Sequence, residues 1–259
     1  MKVLVLPDPA AAADRAAGIV AGRLAEAPAS VLGLATGETM RPVYAALVRR
    51  HRDAGLSLAA ATTFNLDEYV GIAPDHPASF AAFMRQELFD HVDIDPARAH
   101  LPRGDAPDPA AEAARYEAAI VAAGGIDLQL LGIGRNGHLA FNEPTSSLAS
   151  RTRIKTLTPS TRSANRPAFA PGAAPRQAIT MGLGTILDAR ACLLVATGQS
   201  KAKAVAATIE GPLGAHCPAT VLQLHPAVTV VLDEAAAARL ALRAYYETVH
   251  PGGGEAQVG

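Results

Sequence analysis

Residues 127–144 read DLQLLGIGRNGHLAFNEP, and the way this stretch breaks decides the fold. DLQLLGI (127–133) is an apolar run of strand length, the pattern of a strand covered on both faces. It gives way to a glycine-rich turn, GRNGH (134–138), and then to a polar stretch that ends at Pro144. The same grammar repeats outward in both directions. Short β-type runs fall at 3–6 (VLVL), 31–35 (VLGLA), 62–66 (TTFNL), 192–197 (CLLVAT) and 228–232 (VTVVL). Between them the pattern predicts helices over 10–26, where Val20 and Leu24 are four apart, and over 41–51, 79–89, 110–121, from Ser200, and over 234–249. Strands alternating with helices predict an α/β fold: an open, mainly parallel sheet with helices on both faces and right-handed crossovers. One such domain is expected over 1–250, with a disordered tail over 251–259.

Composition bounds the function. The 259 residues are 49% hydrophobic and 18% charged, with a net charge of −1. That is enough chain for a sizeable core, and no overall field draws the protein to nucleic acid or to an anionic membrane. The apolar run at the N-terminus is four residues long, too short for a signal peptide or a membrane span. Cys192 and Cys217 form neither a disulfide framework nor a metal-ligand spacing, and read as buried thiols of a cytoplasmic protein. The histidines are scattered without H-x-x-x-H spacing, so no metal is expected.

In sheets of this kind ligands bind beyond the carboxyl ends of the strands. Four loops lie there: ATGET (35–39), the Asp67–Glu68 turn, GRNGH (134–138) and ATGQSK (196–201). The two Ala-Thr-Gly loops echo each other. Each offers backbone N–H groups and a hydroxyl at a helix start, which suits a phosphate; each is equally an ordinary capped turn. Gly132, Gly134 and Gly137 spell G-x-G-x-x-G, the dinucleotide fingerprint. Against that reading, Pro144 comes too soon for the required helix, and no acid lies about 20 residues on. The turn instead offers Asn136, His138, Asn142 and Glu143 within eight residues, a histidine–carboxylate set able to move protons near neutral pH. Asp67, at the end of another strand, is either a general base facing the same crevice or a cap for the next turn. The segment 144–187 holds six of the 23 basic residues and none of the 24 acidic ones; it is expected to be a lid over an anionic ligand.

The blocks TFNLDEYVG (63–71), LGIGRNGHLAFNEP (131–144) and SSLASRTRIKTLT (146–158), supported by LATGET, HPASF and LQLHP, resemble glucosamine-6-phosphate deaminases over nearly the whole chain. The resemblance implies a Rossmann-like fold without a nucleotide or other cofactor. It implies conversion of glucosamine 6-phosphate and water to fructose 6-phosphate and ammonium. By motif, Asp67 would take the C2 proton and His138 would open the sugar ring, assisted by Asn136 and Glu143. Some relatives carry Asp where this chain has Asn136. Thr36, Gly37, Thr39 and Lys201 would hold the phosphate. The family loop usually reads Thr-Gly-Gly-Thr-Pro, so TGETM brings Glu38 near that phosphate. Arg166, one position early in its motif, is expected to take over a family phosphate contact. Ser146, Arg153, Lys155 and Thr156 resemble an effector site for N-acetylglucosamine 6-phosphate found in hexameric relatives. Neighbouring readings are a galactosamine-6-phosphate deaminase/isomerase, a 6-phosphogluconolactonase, whose loop lacks FNEP, and a non-catalytic sugar-phosphate sensor.

Overall fold

The computed structural model describes residues 1–159, 161, 163, 169 and 174–254. Seven strands build one sheet in the order β1 (Lys2–Leu6), β10 (Val228–Asp233), β9 (Cys192–Ala196), β6 (Leu128–Leu131), β2 (Val31–Leu34), β3 (Thr62–Asn65), β5 (Ala99–His100). Every pairing in it is parallel. All five residues of β9 are at most 1% exposed, as its unbroken apolar sequence predicts. Each such aliphatic side chain contributes roughly 1.5–3 kcal/mol by leaving water.

Helices begin where the local chemistry ends a strand. Asp8 accepts from the Ala11 amide at 2.8 Å and Pro9 follows, which starts α1 (Pro9–Glu26). Asp108 and Pro109 repeat the device for α4 (Pro109–Ala122). Buried Ala12, Ala13, Ala16 and Ala17 let α1 lie close to the sheet and to α2 (Met40–Ala54). The chain steps from β2 outward to β3 and β5, and from β6 outward the other way to β9 and β10. Right-handed crossovers therefore place successive helices on opposite faces either side of the β2–β6 junction. That junction is the topological switch, where a crevice opens beyond the strand ends. Among the described residues, no helix is long and apolar enough to cross a membrane.

Three features depart from the sequence expectation. First, the run 62–66 ends early, and β4 (Asp67–Tyr69) starts a second sheet in which β8 (Gln177–Thr180) lies between β4 and β7 (Arg153–Thr156), both pairings antiparallel. The segment expected to be a lid thus supplies two framework strands. RIKT and QAIT carry no strong local strand signal; their pairing with β4 is a long-range choice. Secondly, the helix expected over 234–249 is two helices, Glu234–Ala237 and Arg243–Val249. The Glu210 carboxylate accepts from the Ala241 and Leu242 amides at 2.7 and 2.9 Å and so holds the break. Thirdly, the tail opens with a 3-10 turn, Pro251–Gly253, in which Gly253 packs against Leu6. Residues 255–259 lie outside the described residues.

The second sheet is anchored at Gly182. A Cβ there would lie 2.0 Å from the Ser150 carbonyl oxygen and 2.3 Å from its carbon. Gly182→Ala is expected to destabilise the protein by roughly 1–3 kcal/mol, read as a lower denaturant midpoint at unchanged m-value.

Candidate active site

Three neighbouring strands, β9, β6 and β2, send their loops into the switch crevice. After β2, Gly37 takes φ +108° and its carbonyl accepts from the Met40 amide at 2.9 Å, starting α2. Thr39 stands at the cap position, yet its hydroxyl makes no capping bond. Tyr44 holds the loop from below by donating to the Ala35 carbonyl. Glu38, the residue that looked hostile to a phosphate, is 89% exposed and accepts from Arg41 Nε at 3.1 Å. Its charge is turned outward and paired. After β9, the Gly198 amide donates to both Asp233 carboxylate oxygens at 3.0 Å. One 3-10 turn later, Lys201 Nζ donates to the Ile133 carbonyl at 2.7 Å. That bond ties the β9 loop to the β6 loop. Burial, and then the neighbouring Arg135 charge, lowers the Lys201 pKa from its ordinary value.

The β6 loop is a tight turn: the Gly134 amide donates to the His138 carbonyl, and the Gly137 amide to the Gly134 carbonyl, both at 3.0 Å. Its glycines serve close packing rather than a pyrophosphate. A Cβ on Gly134 would lie 2.3 Å from His138 Nε2, and one on Gly137 would lie 2.3 Å from Cys217 Sγ. The imidazole therefore lies over Gly134, with Nδ1 3.4 Å from Glu143 Oε2. Asn136 locks the pair. Its amide nitrogen donates to Glu143 Oε2 at 2.7 Å, and its amide oxygen accepts from the His138 backbone at 3.2 Å. An aspartate at 136 could accept but not donate. Glu143 Oε1 accepts from Thr158 at 3.3 Å and from Thr161. Burial alone would raise the Glu143 pKa, but bonds from His138 and Thr161, the His138 charge and Asn136 outweigh it and bring it to about 2. Glu143 is thus a buried permanent anion aimed at an imidazole. Ala140 and Thr145 hold left-handed backbone, at φ 51° and 75°, strain of the kind that clusters at functional loops.

Asp67 reaches the same place through the second sheet. It pairs with Thr180 across β4 and β8, and directly paired residues project to one side of a sheet. The Phe141 amide donates to Thr180 Oγ1 at 3.2 Å, so the 138–143 loop docks on the side that carries Asp67. Asn142, fully buried, fastens the loop by donating to the Leu139 and Met181 carbonyls at 3.0 and 2.8 Å, while the Met181 amide donates to Leu66. Asp67 is 6% exposed, and among the described residues no group donates a hydrogen bond to its carboxylate. Burial, reinforced by the Glu68 charge, raises its pKa well above the ordinary value. Glu68 plays a different part. It accepts from the Tyr69, Phe80 and Ala81 amides at 2.9, 3.1 and 3.0 Å and caps α3 (Phe80–Glu87) with Ser79. The capping at this turn is thus done by Glu68 rather than by Asp67.

The remaining expected residues fall as follows. Thr36, Gly37 and Thr39 stand on the loop after β2 and Lys201 on the segment after β9, with β6 between the two strands; Arg166 lies outside the described residues. Arg153, Lys155 and Thr156 share β7, opposite Thr180, Ala178 and Gln177. Ser146 is buried just before them, with no partner for its hydroxyl among the described residues. Arg151, one of the basic residues of 144–187, is a clamp rather than a ligand group: it pairs with Glu117 and Asp188 at 2.5 and 2.6 Å. Sequence reasoning missed Thr158, Thr161 and Thr180. The three-residue spacing of Thr158 and Thr161 was a faint signal of shared hydroxyl bonding; nothing local marked Thr180.

The model of the family described as glucosamine-6-phosphate isomerases/6-phosphogluconolactonase matches residues 7–231. A glucosamine-6-phosphate deaminase of Shewanella loihica is 51% identical over 250 residues, covering 96% of this chain and 93% of that one. The deaminase of Rhodopirellula baltica is 51% identical over 245 residues, covering 94% and 98%. Among solved structures, a monomeric glucosamine-6-phosphate deaminase superposes with a TM-score of 0.90 at 44% identity, covering 92% of this chain and all of that one. A 6-phosphogluconolactonase from Trypanosoma cruzi shares the fold alone, with a TM-score of 0.70 at 21% identity over 93% and 97%. Match and coverage together place this chain in the glucosamine-6-phosphate isomerase/6-phosphogluconolactonase family.

Proposed function

We propose that the protein is a glucosamine-6-phosphate deaminase, releasing ammonium from the amino sugar phosphate with fructose 6-phosphate as the other product. The observation that carries this reading is the docking of the His138–Glu143 loop on the side of the second sheet that bears Asp67. Ring opening needs an acid/base at the ring oxygen; the His138 imidazole, oriented by an ionised Glu143, supplies it. In the open chain, the hydrogen on C2 lies next to the C1 aldehyde. The Asp67 carboxylate removes it, and the electron pair delocalises onto the carbonyl. The C1 oxygen takes a proton from the C2 ammonium group, and return of the abstracted proton to C1 leaves C2 doubly bonded to nitrogen. Water then adds to C2, the C–N bond breaks, and ammonium departs. The phosphate, held by the Thr36–Thr39 loop and Lys201, supplies binding energy that places C2 against the base.

Three finer points belong to the same reading. The buried free thiols Cys192 and Cys217 suit a reducing cytoplasm. Ser146, Arg153, Lys155 and Thr156 are the contacts for N-acetylglucosamine 6-phosphate as an effector, which would bring a second subunit of a homo-oligomer such as a hexamer against them. Support comes from the unpartnered Ser146 hydroxyl and from Arg153, whose guanidinium is half-buried without an acidic partner among the described residues. The catalytic groups themselves come from one chain.

Ammonium release from glucosamine 6-phosphate, with the galacto epimer as comparison, tests the reading. Asp67→Asn should lower kcat by roughly 10²–10⁴; lactone hydrolysis without ammonium release would refute it. The acidic limb of kcat/KM should lie above the ordinary carboxylate range, because Asp67 acts only when ionised. Its raised pKa also costs stability: the folded state prefers the protonated acid, so the penalty grows as pH rises from the unfolded pKa through the folded one. Asp67→Asn should therefore raise Tm at neutral pH, by ~2–4 °C per kcal/mol recovered. Glu143 runs the other way. Its pKa near 2 against 4.5 gives stability on the order of 3 kcal/mol above pH 4.5 that is lost as pH falls towards 2, and Glu143→Gln should flatten that acid transition. Gly134→Ala, by displacing the imidazole, should lower kcat about 10²-fold with the fold intact by circular dichroism.

A further inference from the structure

We propose that Arg135 is a phosphate-binding residue of this site, standing between the two Ala-Thr-Gly loops and completing with Lys201 a two-cation clamp on the substrate's phosphomonoester. The proposal rests on the sugar-phosphate reading above and goes beyond the residues that reading supplies.

The sheet order sets the geometry. β6 lies between β9 and β2, so the loop after β6 emerges between the loop that carries Lys201 and the loop that carries Thr36–Thr39. Within it, the Gly137 amide closes a turn onto the Gly134 carbonyl at 3.0 Å, which places Arg135 at the tip, exposed. Lys201 reaches the base of the same loop, with Nζ 2.7 Å from the Ile133 carbonyl. One of its N–H donors is thereby used and two are left for a ligand.

The charge balance points to an anion. Among the described residues, Arg135 makes no ion pair and no hydrogen bond, and it is close enough to Lys201 for its charge to disfavour the ammonium. Two cations held near each other without an intervening acid repel; a dianionic phosphate between them turns that cost into attraction. The nearest acid on the flanking loop, Glu38, is neutralised by Arg41. A guanidinium adds a planar fork that can bond two phosphate oxygens at once, which an ammonium cannot.

Two measurements test the clamp. Calorimetric titration of wild type, Arg135→Ala and Arg135→Lys with inorganic phosphate should show binding weakened roughly tenfold in the alanine variant and partly restored in the lysine variant. With glucosamine 6-phosphate, Arg135→Ala should raise KM by a similar factor while kcat changes far less, at unchanged Tm. Equal phosphate affinity in wild type and Arg135→Ala, or no phosphate binding to wild type, overturns the proposal. So does a fall in kcat at constant KM. Arg135-dependent phosphate binding by a wild-type protein that releases no ammonium would leave the clamp standing and remove the deaminase reading instead.

Discussion

The pairing of β4 with β8 is the constraint on which the site depends. Asp67 follows the end of a main-sheet strand, but it is paired in the small sheet with Thr180. The same threonine receives the Phe141 amide through its hydroxyl. One residue thus links the strand that carries Asp67 to the loop that carries the imidazole. Asn142 adds two bonds to the Leu139 and Met181 carbonyls, and Met181 returns one to Leu66. The strand that carries Asp67 and the loop that carries His138 and Glu143 are separate segments that share one surface because these short polar links are buried, where leaving them unmade is costly.

Within that surface the carboxylates are driven apart electrostatically. Glu143 is surrounded by donors and stays an anion; Asp67 is buried without one and is pushed towards its neutral form. Environments that separate the titration of neighbouring acids are how one fold assigns different proton-handling roles to like side chains. Glu68, beside Asp67, is held instead by three backbone amides, two of them at a helix start. Burying Asp67 without a donor costs stability, and the left-handed backbone at Ala140 and Thr145 is a second local strain, in the neighbouring loop.

The loops that the sequence singles out for an anion follow adjacent parallel strands, β9, β6 and β2. The packing of these loops explains why Glu38 brings no charge into the crevice: it is exposed and paired with Arg41. It also explains the false dinucleotide signal. Glycine is required wherever a backbone must approach something closely, and at Gly134 and Gly137 the objects approached are an imidazole and a thiol of this same chain.

The main parallel sheet was legible in the sequence, because buried parallel strands are apolar runs and their helices carry Asp-Pro starts and alanine faces that act locally. The site was legible as a set of residue types at strand ends, since the sheet rule assigns those ends to one crevice. The tertiary structure alone decided the second sheet, the division of labour between Asp67 and Glu68, the break after Ala237 held by Glu210, and the hydroxyls of Thr158, Thr161 and Thr180 that complete the site. The physical reason is range. Caps, turns and apolar runs act over a few residues and leave a pattern in order along the chain. A cross-strand pair, or a hydroxyl bonded to a carboxylate many residues away, is chosen only by which segments the folded core brings together.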